Sequence, residues 1–178
     1  MTDVSGGDFA DLMALIRTVP DFPVPGIQFR DITPLLFDAT ARTRAVEAMA
    51  EAARALEPEV IAGIESRGFI FGIPVAERLG LPFVPVRKAG KLPHDVAIAH
   101  YDLEYGTATL EMHRTPSVAG LRVVVDDLLA TGGTASAAAR LVEEVGGTVV
   151  GFVFLIGLDA LDGQAALGGR EVRSILAY

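Results

Sequence analysis

The stretch Val123-Val124-Val125-Asp126-Asp127-Leu128-Leu129-Ala130-Thr131-Gly132-Gly133-Thr134 constrains this chain more than any other segment. The valines predict a buried strand that ends at two carboxylates. The small residues that follow predict a tight turn, and a helix opens from Thr134. Backbone N–H groups of Ala130, Thr131, Gly132, Gly133 and Thr134 stand there with little side-chain obstruction, and the two threonine hydroxyls lie beside them. With the positive end of the helix dipole, that is a cradle for a monoester phosphate. Asp126 and Asp127 lie about one phosphosugar away, placed to accept hydrogen bonds from vicinal ribose hydroxyls. A plain strand–helix turn with capping residues accounts for one aspartate, but poorly for Asp-Asp followed by Thr-Gly-Gly-Thr. Neither a GxxxxGK[ST] loop nor a GxGxxG turn after a strand occurs, which disfavours P-loop and dinucleotide-binding readings.

The rest of the chain repeats the strand–helix alternation. The spacing predicts strands at Val60–Ile64, Pro82–Val86, Leu121–Val125 and Thr148–Ile156. It predicts helices at Gly68–Leu79, closed by Gly80, and at Thr134–Val145, closed by Gly146-Gly147. His100–Leu103 and Thr107–His113 read as the arms of a hairpin. Asp38 caps a helix running through Arg54, and Asp8–Val19 reads as a short amphipathic helix. Pro20, Pro23 and Pro25 imply an irregular segment through Leu36. Arg87–Gly106 reads as a long polar irregular stretch, a length at which loops are functional or disordered. The expected class is α/β, with a mainly parallel central sheet flanked by helices. Ligands then belong at the carboxyl ends of the strands. At 178 residues the chain is one structural domain, divided into an N-terminal helix and hood segment (1–35) and a core (36–178).

Charge narrows the partners. The net charge of −8 argues against a nucleic-acid partner, which needs basic surface to displace counterions. A local basic cluster can still hold a small anion. Of the 15 basic residues only Lys88 and Lys91 are lysines, and both sit beside Arg87 in RKAGKLP. The same cluster suits a solvated loop. Zero cysteines exclude disulfides and thiolate chemistry. The apolar run Val149–Leu158 is too short to span a membrane, and the acidic N-terminus lacks an export signal. A cytoplasmic protein without membrane contact is expected. His94, His100 and His113 lack metal-ligand spacing.

The Val123–Thr134 segment resembles the phosphoribosyl pyrophosphate signature of the type I phosphoribosyltransferases. FPVPGIQFRDITPLL, AGIESRGFIFGIPVA, RKAGKLP and YDLEYG resemble, in the same order, the blocks of the adenine-specific branch of that family. The resemblance covers the chain from about Pro20 onward. Gln28 departs from it, standing where the family usually has an apolar residue, as does Ala89 where proline is frequent.

The resemblance implies a type I phosphoribosyltransferase-like core, a small base-binding hood and a flexible hairpin lid. It implies transfer of a phosphoribosyl group to adenine, with Mg²⁺ held by substrate and water rather than by protein ligands, and a homodimer. Phe29 would stack on the base, with Gln28 and Arg30 beside it and residue 28 reading the base through its backbone. Glu104 would assist proton traffic from a loop that closes with Tyr105. Ser66 and Arg67, at the turn after Val60–Ile64, suit pyrophosphate, and Arg87, Lys88 and Lys91 add cations. Arg67, Asp126 and Asp127 would join Glu104 in catalysis. On residues alone, Glu104 equally suits a hairpin-turn charge, while a surface charge for Arg67 and a packed aromatic for Phe29 are the lesser alternatives. Transfer to another base, or a regulator that binds nucleotide without turnover, are the rivals. An intact Glu104 loop and the acidic balance favour the enzyme.

Overall fold

The computed structural model describes residues 9–103, 106–114, 122–125 and 128–178. Alternating apolar residues build its centre. Val60, Ala62 and Ile64 of β3 (Val60–Ile64) point into one core cluster and Ile61 into the other. On β9 (Thr148–Gly157), Phe152 and Phe154 divide from Val153 and Leu155 in the same way. Strands buried on both faces read as continuous apolar runs, which is why these two were legible.

The remaining strands of the eight-stranded sheet are β4 (Phe83–Lys88), β5 (Val96–Leu103), β6 (Gly106–His113), β7 (Arg122–Val125), β8 (Leu128–Leu129) and β10 (Glu171–Ala177). Its order is β10-β9-β7-β3-β4-β6-β5, with β8 pairing β9. All pairs from β10 to β4 are parallel, and the β5–β6 hairpin joins antiparallel through β6. The mainly parallel α/β expectation holds. Helix α5 (Gly133–Glu144) covers one face through Ala137, Ala138 and Leu141. Helices α3 (Ala39–Arg54) and α4 (Arg67–Leu79) cover the other through Met49, Ala53, Phe71 and Val75. Asp38 caps α3 as its sequence implies, its Oδ1 accepting from the amides of Thr40 and Ala41 at 2.9 Å. Gly80 closes α4 in the left-handed conformation, φ 69°.

The differences lie where local signals mislead. The first helix, α1, spans only Ala10–Ala14. Arg17–Pro20 instead forms β1, antiparallel to β2 (Gln28–Asp31) in a separate two-stranded sheet. Pro20 lacks an N–H, but at the end of an outer strand none is needed. The proline-rich segment is therefore not irregular throughout: it holds β2 and α2 (Thr33–Phe37). The stretch from Arg87 to Gly106 is likewise mostly strand: among its described residues only 89–95 lie outside β4, β5 and β6. Its apolar run Val96–Ala99 pairs with β6, with Ala97 and Ala99 buried and Ile98 exposed. After Gly157 the chain forms short 3-10 turns at Asp159–Leu161 and Gly163–Leu167 and then the edge strand β10, none of which was anticipated. Leu121, the expected start of β7, lies outside the described residues.

Candidate active site

A cleft of about 300 Å³ opens at the carboxyl ends of β3, β4 and β8, lined by Ile64 to Arg67, Lys88 and Leu128 to Ala135. One wall is the Thr-Gly-Gly-Thr turn. Gly132 has φ 81°, and a Cβ there would lie 2.2 Å from the carbonyl oxygen of Gly163. A Cβ on Gly163 would in turn lie 2.1 Å from the Ala130 carbonyl oxygen. Two glycines thus let the turn rest directly on the 3-10 segment behind it, and only hydrogen fits between the backbones. Among the described residues no side chain caps α5, whose first-turn amides open beside the cleft. That arrangement suits an oxyanion.

The opposite wall is the turn from β3 into α4. Gly63 and Gly72 leave room for the Phe83 ring, since a Cβ on either would approach Phe83 to 2.8 Å. This close strand–helix contact sets Ser66 at the start of α4 and Arg67 in its first turn, both lining the cleft. The Glu65–Ser66 peptide is cis.

The basic cluster divides. Lys88 lines the cleft, whereas Arg87 and Lys91 are not among its lining residues. Arg87 donates through Nε to Glu65 Oε2 at 3.2 Å and through a terminal nitrogen to the Lys91 carbonyl at 3.2 Å. Glu65 Oε2 also accepts from the Lys88 amide at 3.1 Å. Burial pushes the Glu65 carboxyl up, but hydrogen bonds from Arg87 and the Lys88 amide, with the charges of Arg87 and Lys91, hold it below the ordinary value.

A second cavity of about 490 Å³ lies between the β1–β2 hairpin and α4. Phe22, Phe29, Ile32, Leu36 and Ile70 make it apolar, and Asp31 and Thr33 stand at its edge. Phe22 meets Phe29 edge-on with ring centroids 5.1 Å apart. Thr33, through side chain and amide, and the Arg17 guanidinium hold the Asp31 carboxyl down at about 2. Arg67 lines both cavities, its guanidinium carbon 5.8 Å from the Phe29 ring centroid. An apolar, aromatic-lined cavity and a cleft of anion donors therefore share one cation.

Of the expected site residues, Ser66, Arg67, Lys88 and Ala130 to Thr134 come together around the cleft, and Phe29 lines the adjoining cavity. Gln28 and Arg30 flank Phe29 on β2, but neither side chain is among the cavity's lining residues. Arg30 lies 4.2 Å over the Tyr178 ring and donates to the Thr18 hydroxyl. Glu104, Tyr105, Asp126 and Asp127 lie outside the described residues. Two carboxylates that organise the basic segment, Glu65 and Glu111, were not anticipated. The available signal was an acidic residue inside an apolar strand, Leu110-Glu111-Met112.

Comparison with known proteins narrows this geometry. The model of the phosphoribosyl transferase domain matches residues 36–169. An adenine phosphoribosyltransferase of Agathobacter rectalis is 53% identical over 164 residues, covering 92% of this chain and 94% of that one. The crystal structure of adenine phosphoribosyltransferase from Thermoanaerobacter pseudethanolicus superposes with a TM-score of 0.93 at 48% identity, over 96% of this chain and all of that one. The Saccharomyces cerevisiae adenine phosphoribosyltransferase, solved with an imino-altritol bisphosphate and adenine, gives a TM-score of 0.86 at 36% identity, over 93% of this chain and 97% of that one. Identity near one half along nearly the whole length, on the same fold, means that the chain belongs to the adenine phosphoribosyltransferases of the type I phosphoribosyltransferase family.

Proposed function

We infer that this chain transfers the 5-phosphoribosyl group of phosphoribosyl pyrophosphate to adenine, giving AMP and pyrophosphate, a step of purine salvage. One observation carries the inference within the molecule: Arg67 lines both the anion cleft and the aromatic cavity, so the two substrates would meet beside it. The yeast relative was solved with adenine and a bisphosphorylated sugar analogue, which supports the same pair of ligands here.

In the reaction a ring nitrogen of adenine bonds to C1 of the ribose. The C1–O bond breaks, its electron pair leaves with pyrophosphate, and the base gives up a proton. The transition state has oxocarbenium character, so positive charge grows on the sugar and negative charge on the leaving group. The amides of Ala130 to Thr134, with the hydroxyls of Thr131 and Thr134, would hold the 5-phosphate. Asp126 and Asp127 would take the ribose hydroxyls and stabilise the developing positive charge. Ser66, Arg67 and Lys88, with Arg87 and Lys91 nearby, would meet pyrophosphate. Phe29 would stack on the base, beside the Gln28 backbone and Arg30, and Glu104 would assist its proton.

Glu65 is the one carboxylate among the described cleft-lining residues, and Arg87 and the Lys88 amide already engage it. Among the described residues the lining thus offers chiefly donors. Mg²⁺ would be carried on the phosphosugar's own oxygens and water, where it neutralises the leaving group. Closure of the β5–β6 hairpin with Tyr105 would exclude water from the activated sugar.

Among the described residues no helix is long and apolar enough to cross a membrane. We place the enzyme in the cytoplasm as a homodimer, for which the exposed Phe37, Ile70 and Ile73 supply apolar surface. Pyrophosphate release from phosphoribosyl pyrophosphate tests the activity: it is expected with adenine and Mg²⁺ together and lost when either is withheld. Ligand binding without any release would favour the regulator instead.

A further inference from the structure

We propose that Glu111 is a positioning residue for the basic segment, its carboxylate fixing the backbone of Gly90–Leu92 so that Lys88 is presented to the pyrophosphate end of the phosphosugar. Glu111 is the only buried charged or polar residue among those described, 4% exposed on β6 between Leu110 and Met112. Its Oε1 accepts from the amides of Lys91 and Leu92, each at 2.6 Å, and its Oε2 from the amide of Gly90 at 2.9 Å. Successive N–H groups around a left-handed residue, here Gly90 at φ 78°, form an anion-binding concavity. In this chain a side chain from the neighbouring strand fills it.

The position matters because β4 leaves the sheet at this point. It pairs with β6 only through Arg87 opposite Glu111 and Lys88 opposite Leu110, followed by one bond from the Ala89 amide to the Thr109 carbonyl. Beyond that the carboxylate supplies the contacts that turn the chain. A buried carboxylate is costly, and an apolar residue would satisfy packing between Leu110 and Met112. Three amide donors, with Arg87 across the strand pair, offset that cost. Glu65 grips Arg87 and the Lys88 amide from the other side. The two carboxylates thus hold both ends of the segment.

The proposal rests on the transferase activity inferred above, so its test reads each substrate separately. KM and kcat for phosphoribosyl pyrophosphate and for adenine would be measured in wild type, Glu111→Gln and Glu111→Asp. Glutamine keeps the shape but loses the charge and one acceptor. It is expected to raise KM for the phosphosugar about tenfold, the scale of one charge-assisted hydrogen bond, while KM for adenine stays within about twofold. Aspartate keeps the charge and should recover part of the loss. Wild-type turnover with unshifted phosphosugar KM in both variants, or an equal rise for both substrates, overturns the positioning. No turnover by the wild type overturns the activity itself. Amide hydrogen exchange on the wild type gives an arm independent of variant folding. Gly90, Lys91 and Leu92 should exchange as slowly as neighbouring strand amides, and fast exchange at all three contradicts the proposal.

Discussion

Gly132 shows how much of the site rests on single atoms. Its φ of 81° and the 2.2 Å approach of a would-be Cβ to the Gly163 carbonyl act together. Gly132→Ala should therefore cost roughly 2–3 kcal/mol in urea unfolding, from the left-handed penalty and the forced backbone shift. The same variant should weaken phosphosugar binding far more than adenine binding, because the displaced amides lie at the cleft. Unchanged stability in the variant would mean that the turn has slack. The sequence already marks Thr131 to Thr134, since small residues between strand and helix have one economical conformation. It does not mark Glu65 or Glu111. Their partners lie about 20 residues away, and only the pairing of β4 with β3 and β6 brings them together.

At the scale of elements, legibility followed how local the signal was. Helix α3 has its cap at Asp38, α4 its stop at Gly80, and β3 and β9 their apolar runs, so each was anticipated within a residue or two. The β1–β2 hairpin was missed because its pairing, Arg17 with Asp31 and Val19 with Phe29, is non-local and its prolines mimic a loop. The basic segment shows the same limit. Its loop is residues 89–95, and Lys88 belongs to β4. A lysine-specific protease has only Lys88 and Lys91 to cut in the chain. Cleavage after Lys91, beyond the strand, should precede cleavage after Lys88 but stay slow while Glu111 holds the Gly90–Leu92 amides. Phosphoribosyl pyrophosphate with Mg²⁺ should slow both, and adenine alone should protect much less. Equal rates at the two lysines, unaffected by the phosphosugar, would contradict both the strand boundary and ligand-driven ordering.

For the whole molecule, acid provides a test of the carboxylates that tie its parts together. Glu65 and Glu111 have folded values below their ordinary 4.5, and Asp31 lies at about 2 against 3.8. For Glu111, burial pushes upward, but the amides of Gly90, Leu92 and Lys91 and the charge of Arg87 outweigh it. A depressed carboxyl contributes stability above its unfolded value and loses it as pH falls through the folded value. The urea midpoint should thus be insensitive to these groups near neutrality and decline as pH drops below about 4.5. Glu65→Gln should flatten part of that decline, and a variant that falls as steeply as wild type would show that Glu65 is not depressed.

The larger claim is that the two cavities joined at Arg67 serve one reaction and that the aromatic one is built for adenine. The direct measurement is competition in a single vessel: wild-type protein, phosphoribosyl pyrophosphate and Mg²⁺ with equal adenine, hypoxanthine and guanine, the nucleotides being separated and counted. AMP should exceed IMP and GMP by at least ~10²-fold, because a site built to pair a 6-amino group leaves polar atoms unpaired against a 6-oxo group. Equal or greater IMP or GMP would contradict the adenine assignment.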